Sequence, residues 1–354
     1  MAQRQAQILG QTLQGFFETS SYWEYEKTLG HGGYGLAILL RQKAEFGPHR
    51  HRIALKVAFP NVANELRNEI KWLKHLHGSK HIVRILASCD KPSRQDWDKE
   101  PQIQEQQPVP PQTAFNSLAQ LEGPVVALEY IENGDLLTFF RRMTVDDVHM
   151  PNRMLWSLFL CLTRACIGMA YPIGSPLGTA PILERIPTDG RPPHALTHND
   201  FAIRNVMLGT GDELGEHHIG HIFKLIDFGQ ADDASGSKLG PLRNLLGISR
   251  LVAFMIKMAG INLQQKQLYR GLSTMAGELL PQNWGNPYPW LDPDLAGLIA
   301  ECMYQDVGKR PTLQRVLDRA GDAVMNKKAS SFPEPEEETD DAIKKFLQKY
   351  VLDP

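Results

Sequence analysis

The sequence predicts an α+β protein, because strand-like segments gather early in the chain and long apolar helical segments follow. Three observations carry this. Residues 36–40 and 52–58 are short apolar runs rich in β-branched and aliphatic residues, and residues 125–131 repeat the pattern. Residues 152–171 and 244–258 are longer apolar stretches broken by Arg164 and by Arg250 and Lys257, which suits buried helices rather than membrane spans. With 354 residues, the chain can bury a large core, as one unit or as two lobes.

Composition excludes several classes. A hydrophobic content of 42% with 22% charged residues is ordinary for a globular protein, and a net charge of -2 sets up no field for nucleic acid or anionic lipid. The four cysteines lack C-x-x-C spacing, so neither a disulfide framework nor a zinc site is expected. A reducing compartment fits them, and the Gln-rich start lacks the apolar core of a secretion signal. The expected setting is intracellular and cytoplasmic.

Taken in order, residues 1–21 place Leu9, Leu13, Phe16 and Phe17 near helical spacing, which predicts either a docking amphipathic helix or a frayed extension. Gly30, Gly32 and Gly35 then form G-x-G-x-x-G. Glycines there permit a tight hairpin whose amides approach phosphate oxygens. A strand follows rather than a helix N-terminus, which argues against a dinucleotide-binding unit. Lys56 lies inside an apolar strand and needs a partner. Glu65 and Glu69, on one face of the next helical stretch, are the candidates.

Residues 90–122, rich in Pro, Gln and charge, predict a flexible surface insertion. Asp135 reads as a helix N-cap. Residues 172–193 carry too much Pro and Gly for regular structure. A strand pair is expected at 205–208 and 222–226, with His217, His218 and His221 solvated on the hairpin between. The tail runs from an acidic stretch at 334–341 to terminal lysines, which suits a docking helix. There is no internal repeat.

The densest chemistry lies at Asp200 and Asn205, five positions apart, followed by Asp227 at the end of an apolar strand. Asp200 can accept the proton of an attacking hydroxyl, while Asn205 and Asp227 offer hard oxygen ligands to magnesium. His198-Asn199-Asp200 through Asn205 resembles the catalytic loop H-R-D-x-x-x-x-N of the protein kinase family, and Asp227-Phe228-Gly229 resembles its D-F-G. Ile53-Ala54-Leu55-Lys56 is similar to the V-A-I-K strand, and Lys309-Arg310-Pro311-Thr312 to the closing R-P-T. The match spans about residues 23–325.

The resemblance implies a bilobal fold, with a small β-rich lobe over a larger α-helical lobe and Mg-ATP in the cleft. It implies residues 22–132 as the first lobe and 133–328 as the second, flanked by the extension at 1–21 and the tail at 329–354. It implies that Lys56 contacts the α- and β-phosphates and pairs with Glu69. The backbone of Glu129 and Ile131 would face adenine, Leu128 would gate the pocket, and Asp135 would reach the ribose. Arg204 would carry positive charge over the transferred phosphate. The implied activity is transfer of the γ-phosphate to a hydroxyl, most simply on a protein. A nucleotide-binding pseudokinase scaffold and a small-molecule phosphotransferase are the alternatives.

The chain departs from the pattern in four places. Asn199 replaces the arginine of H-R-D, Ala202 stands where many members carry lysine, Asn244 replaces an anchoring aspartate, and no A-P-E follows D-F-G. Arg310 thereby lacks the glutamate it pairs with in the family. The segment at 230–243 is short and offers Ser235 and Ser237 as acceptors beside Asp232 and Asp233, so activity is expected to be independent of phosphorylation there.

Overall fold

A computed structural model of the chain describes residues 2–47, 50–59, 62–90, 112–211, 215–218, 220–233 and 239–353. The chain divides into two compact units, one of residues 1–130, 172–182 and 227–231 and the other of 131–171, 183–226 and 232–354.

The first unit is built on one antiparallel sheet. Its strands are β1 (Trp23–His31), β2 (Gly35–Gln42), β3 (Arg52–Ala58), β4 (Ile85–Asp90) and β5 (Pro124–Glu129), in spatial order β1-β2-β3-β5-β4. Period-two alternation in β3 sends Ile53, Leu55 and Val57 into the core and turns Lys56 to the opposite face. The core face is covered by α1 (Ala2–Glu18), whose Ala6, Leu13 and Phe17 are buried against Trp23 and the sheet. The apolar residues of α1 therefore dock it rather than leave it frayed.

Of the insertion expected over 90–122, residues 91–111 lie outside the described residues, while 112–120 form a 3₁₀ stretch. Here the expectation of a flexible loop fails. Ala114, Phe115, Leu118 and Leu121 are buried in the sheet's core, and the Trp23 indole N–H donates to Ala114 O at 2.8 Å. Helical spacing of these apolar residues, masked by the Pro/Gln composition around them, supplies the burial.

Against the other face of the sheet packs α2 (Ala63–His75), which also carries residues 227–231. Asn68 Nδ2 donates to Gly229 O and Ala231 O at 2.9 and 2.8 Å, and Trp72 Nε1 donates to Ala231 O at 3.0 Å.

The second unit is mainly helical. It begins with α3 (Leu136–Val145), capped by Asp135, and α4 (Asn152–Ala170). Among the described residues, α4 is long and apolar enough to cross a membrane by length and composition, but 83% of that window is buried inside the protein. Short pairs β6 (Leu196–Thr197) with β9 (Asp232–Asp233), and β7 (Val206–Gly209) with β8 (Ile222–Leu225), frame the loop that carries Asp200. Then follow α5 (Gly240–Lys257), the hairpin of β10 (Gln267–Tyr269) and β11 (Leu272–Thr274), α6 (Pro293–Cys302), α7 (Leu313–Asn326) and α8 (Asp340–Leu347). Helix α4 packs on α5, α7 and β8. Thr339 caps α8, with Asp340 and Asp341 in its first turn and Lys344 and Lys345 in its last. Ile343 and Leu347 dock it.

The histidines between β7 and β8 are not a solvated set. His217 is buried, with Nδ1 at 3.8 Å from Cys161 Sγ on α4. His221 is mostly buried as well, and only His218 stays exposed, its Nδ1 at 2.7 Å from Gly215 O. The hairpin lies against α4, so residues that look like loop polarity in sequence close over a core helix.

Candidate functional site

In the first unit, the sheet and α2 build a charged group around Lys56. Its Nζ stands 2.5 Å from Glu69 Oε2 and 3.1 Å from Asp227 Oδ1. Of the two glutamates on the face of α2, Glu69 reaches the lysine and is fully buried. Burial works against the Lys56 ammonium, but the charges of Glu69 and Asp227 outweigh it and hold its pKa above the ordinary lysine value. Burial pushes the Glu69 carboxyl up against the pull of Lys56, and the Asp227 charge adds to the rise. Two carboxylates therefore share one cation, an arrangement kept in place by Lys56 remaining charged.

Asp227 takes a left-handed backbone, φ 65° and ψ 74°. Aspartate and asparagine tolerate that region better than most residues. The conformation turns the chain sharply where it leaves the strand, and the bonds from Asn68 and Trp72 hold the residues that follow. With its side chain 40% exposed, Asp227 presents a carboxylate of the kind a hard cation takes.

The glycine hairpin is closed by the Gly32 N–H donating to Gly35 O at 3.0 Å. A Cβ at Gly30 or Gly32 meets nothing within 4 Å, so packing does not explain these glycines. Gly35 differs: its Cβ would stand 2.4 Å from Val57 O, so β2 and β3 require glycine there. In β5 the Glu129 N–H donates to Arg84 O at 3.0 Å, and the Glu129 carboxylate accepts from Arg84 N at 2.9 Å. That N–H is thereby spent within the unit. Leu128 is buried in the same strand.

In the second unit, Ile131 is buried, and Asp135 caps α3 by accepting from Thr138 N at 2.8 Å and from its hydroxyl at 3.0 Å. Both carboxylate oxygens are engaged, so a ribose contact would compete with the cap.

The loop around Asp200 is held by buried groups. The amide oxygen of Asn244 accepts from His198 N at 3.1 Å, and its Nδ2 donates to Leu196 O at 2.9 Å. An aspartate at 244 would make the first bond and lose the second, so the asparagine is matched to its surroundings. His198 is fully buried. Its Nδ1 accepts from Asp200 N at 3.3 Å, which puts the ring proton on Nε2 to donate to Ile226 O at 3.0 Å. Asn199 follows with φ 62°. In the sequence His198 stands out only as part of a motif, whereas its two ring bonds tie the loop to the strand end.

Asn205 Nδ2 donates to Asp200 O and Oδ2 at 3.0 and 2.9 Å, so the amide oxygen Oδ1 is the atom with lone pairs left to offer. Arg204 Nη2 lies 2.7 Å from both Asp200 oxygens. The guanidinium therefore restrains the carboxylate directly. Arg310, deprived of a glutamate, donates to Tyr304 O at 2.9 Å and Leu242 O at 3.5 Å, and burial lowers its pKa. The acceptors Ser235 and Ser237 lie outside the described residues.

No family model matches the chain, and no curated protein matches it significantly. The chemistry of these side chains is thus the basis for a functional reading.

One pH effect arises from the first unit. Burial lowers the His77 pKa from 6.5, against the Ser175 carbonyl at 3.2 Å and with the Arg84 charge adding to the fall. Its Nε2 is buried with no hydrogen-bond partner among the described residues. The unfolded chain binds the proton first, so stability is full above about pH 6.5 and falls as pH drops through the lowered folded value. Denaturant midpoints measured from pH 7.5 to 5.5 should decline, and less steeply in His77→Gln. An identical slope in the variant would remove His77 from the account.

Proposed function

We propose that the chain is an ATP-dependent phosphotransferase of the protein-kinase-like kind, moving the γ-phosphate of Mg-ATP to a hydroxyl, most simply on a protein. In this reading the two compact units correspond to the small β-rich lobe and the larger helical lobe of that fold. The observation that carries it is Lys56 held between Glu69 and Asp227, residues 13 and 171 positions away in sequence. A lysine paired this way is oriented to take phosphate oxygens in exchange for one of its carboxylates. Asp200, with Asn205 beside it, supports the same reading from the second unit.

Each unit carries a donor of the kind magnesium takes: Asp227 in the first would offer a carboxylate oxygen and Asn205 in the second an amide oxygen, both hard ligands. When bound, the ion neutralises charge on the phosphates. Glu69 keeps Lys56 extended towards the α- and β-phosphates. Gly30 and Gly32 leave room for a ligand to approach the hairpin backbone. Asp200 takes the proton of the acceptor hydroxyl while that oxygen bonds to the γ-phosphorus, the β–γ bridging bond breaks, and ADP leaves. His198 and Asn244 hold the loop that presents Asp200.

Titration calorimetry of the full chain with ATP, with and without magnesium, tests the reading. Binding should require the metal and be lost in Asp227→Asn, with the thermal midpoint unchanged. Equal magnesium-dependent binding and turnover in that variant would defeat the assignment.

A further inference from the structure

The second unit contains a cavity of about 660 Å³ lined by the Asp200 loop and by one face of α5. Arg243, Gly247, Arg250 and Phe254 recur at helical spacing, so they share that face. Gly247 is what brings the loop close: a Cβ there would stand 2.4 Å from the Phe201 ring, next to Asp200. The cavity lining carries Arg204, Arg243 and Arg250 against one carboxylate, Asp200. Arg204 is committed to Asp200. The exposed side chains of Arg243 and Arg250 make no ion pair or hydrogen bond among the described residues. Among the described residues, a chain of net charge -2 therefore gathers positive charge that no carboxylate neutralises where the acceptor hydroxyl would be presented.

We infer that this cavity selects an acidic peptide, with the acceptor hydroxyl flanked by carboxylate or phosphate side chains; the inference rests on the phosphotransfer reading. Spacing favours a peptide over a small anion. Seven residues of helix separate Arg243 from Arg250 by about 10 Å along the axis, so a ligand with two spaced acidic groups can engage both. An extended peptide covers that distance in about three residues. Arginine forks suit carboxylates and phosphates equally. Phe201, Leu251 and Phe254 provide apolar lining between the charges.

The test is fluorescence anisotropy of the full chain with a labelled serine peptide flanked by glutamates, against its lysine-flanked counterpart, without nucleotide. The glutamate peptide should bind at least about tenfold tighter, and more weakly as salt rises from about 50 to 200 mM. Arg243→Glu with Arg250→Glu should reverse the preference; both residues are exposed, and far-ultraviolet dichroism verifies the fold. Indifference to flanking charge, or an unchanged preference in the double variant, overturns the inference. Preferential binding without phosphoryl transfer from Mg-ATP would instead overturn the kinase reading, because the anisotropy measurement needs no turnover.

Discussion

Asp200→Asn is expected to leave Mg-ATP affinity within about threefold of the wild type while cutting phosphoryl transfer by about 10²–10⁴-fold, the usual worth of a positioned general base. The asparagine keeps the shape of the side chain, and the Asn205 bond to the Asp200 backbone carbonyl at 3.0 Å survives. It loses the charge that Arg204 neutralises and the basicity that receives the proton. Stability should hardly change, because the Arg204 side chain is 58% exposed and such a pair contributes little in water. Calorimetry and single-turnover kinetics separate the two effects. Lost nucleotide affinity alongside full turnover at saturating ATP would show that Asp200 holds ligand rather than moves a proton.

The largest stability effect is expected at Glu338. Helix α4 begins after Pro151, which supplies no side-chain cap. The buried Glu338 carboxylate takes that place from far along the chain, accepting from Asn152 N at 2.6 Å, Asn152 Nδ2 at 2.9 Å and Arg153 N at 2.9 Å. Glu338→Ala leaves two backbone N–H groups at the start of the central helix without an acceptor. Each orphaned buried donor costs about 1–3 kcal/mol, and a negative charge at a helix N-terminus about 0.3–1 kcal/mol more. We expect a total loss of about 2–7 kcal/mol, read as a lower urea midpoint at unchanged slope. Glu338→Gln retains one acceptor oxygen and should lose about half as much. If the alanine variant unfolds at the wild-type midpoint, α4 is capped by other means.

Features that depend on neighbours along the chain were legible in the order of residues. Alternation in β3 places Lys56 on the face opposite Ile53 and Leu55. Asp135 and Thr339 cap the helices they precede, because a cap needs only the next turn. The five-residue step from Asp200 to Asn205 is short enough for their side chains to bond across one 3₁₀ turn. Among the charged partners of Lys56, spacing left Glu65 and Glu69 open, and packing of α2 on the sheet decided for Glu69.

The remaining features came from the folded arrangement, since those partners are far apart in sequence. Phe115 enters the core because Trp23 and the sheet offer it a buried site, which an average over a Pro- and Gln-rich segment conceals. His217 is buried because α4 lies beneath its hairpin. Arg310 is satisfied by two carbonyls that no motif encodes. Arg243 and Arg250 acquire meaning because Gly247 admits Phe201, and with it Asp200, to their face of α5. Hydrogen bonds and charge pairing act over a few ångströms, so the fold must bring such residues together before their chemistry exists.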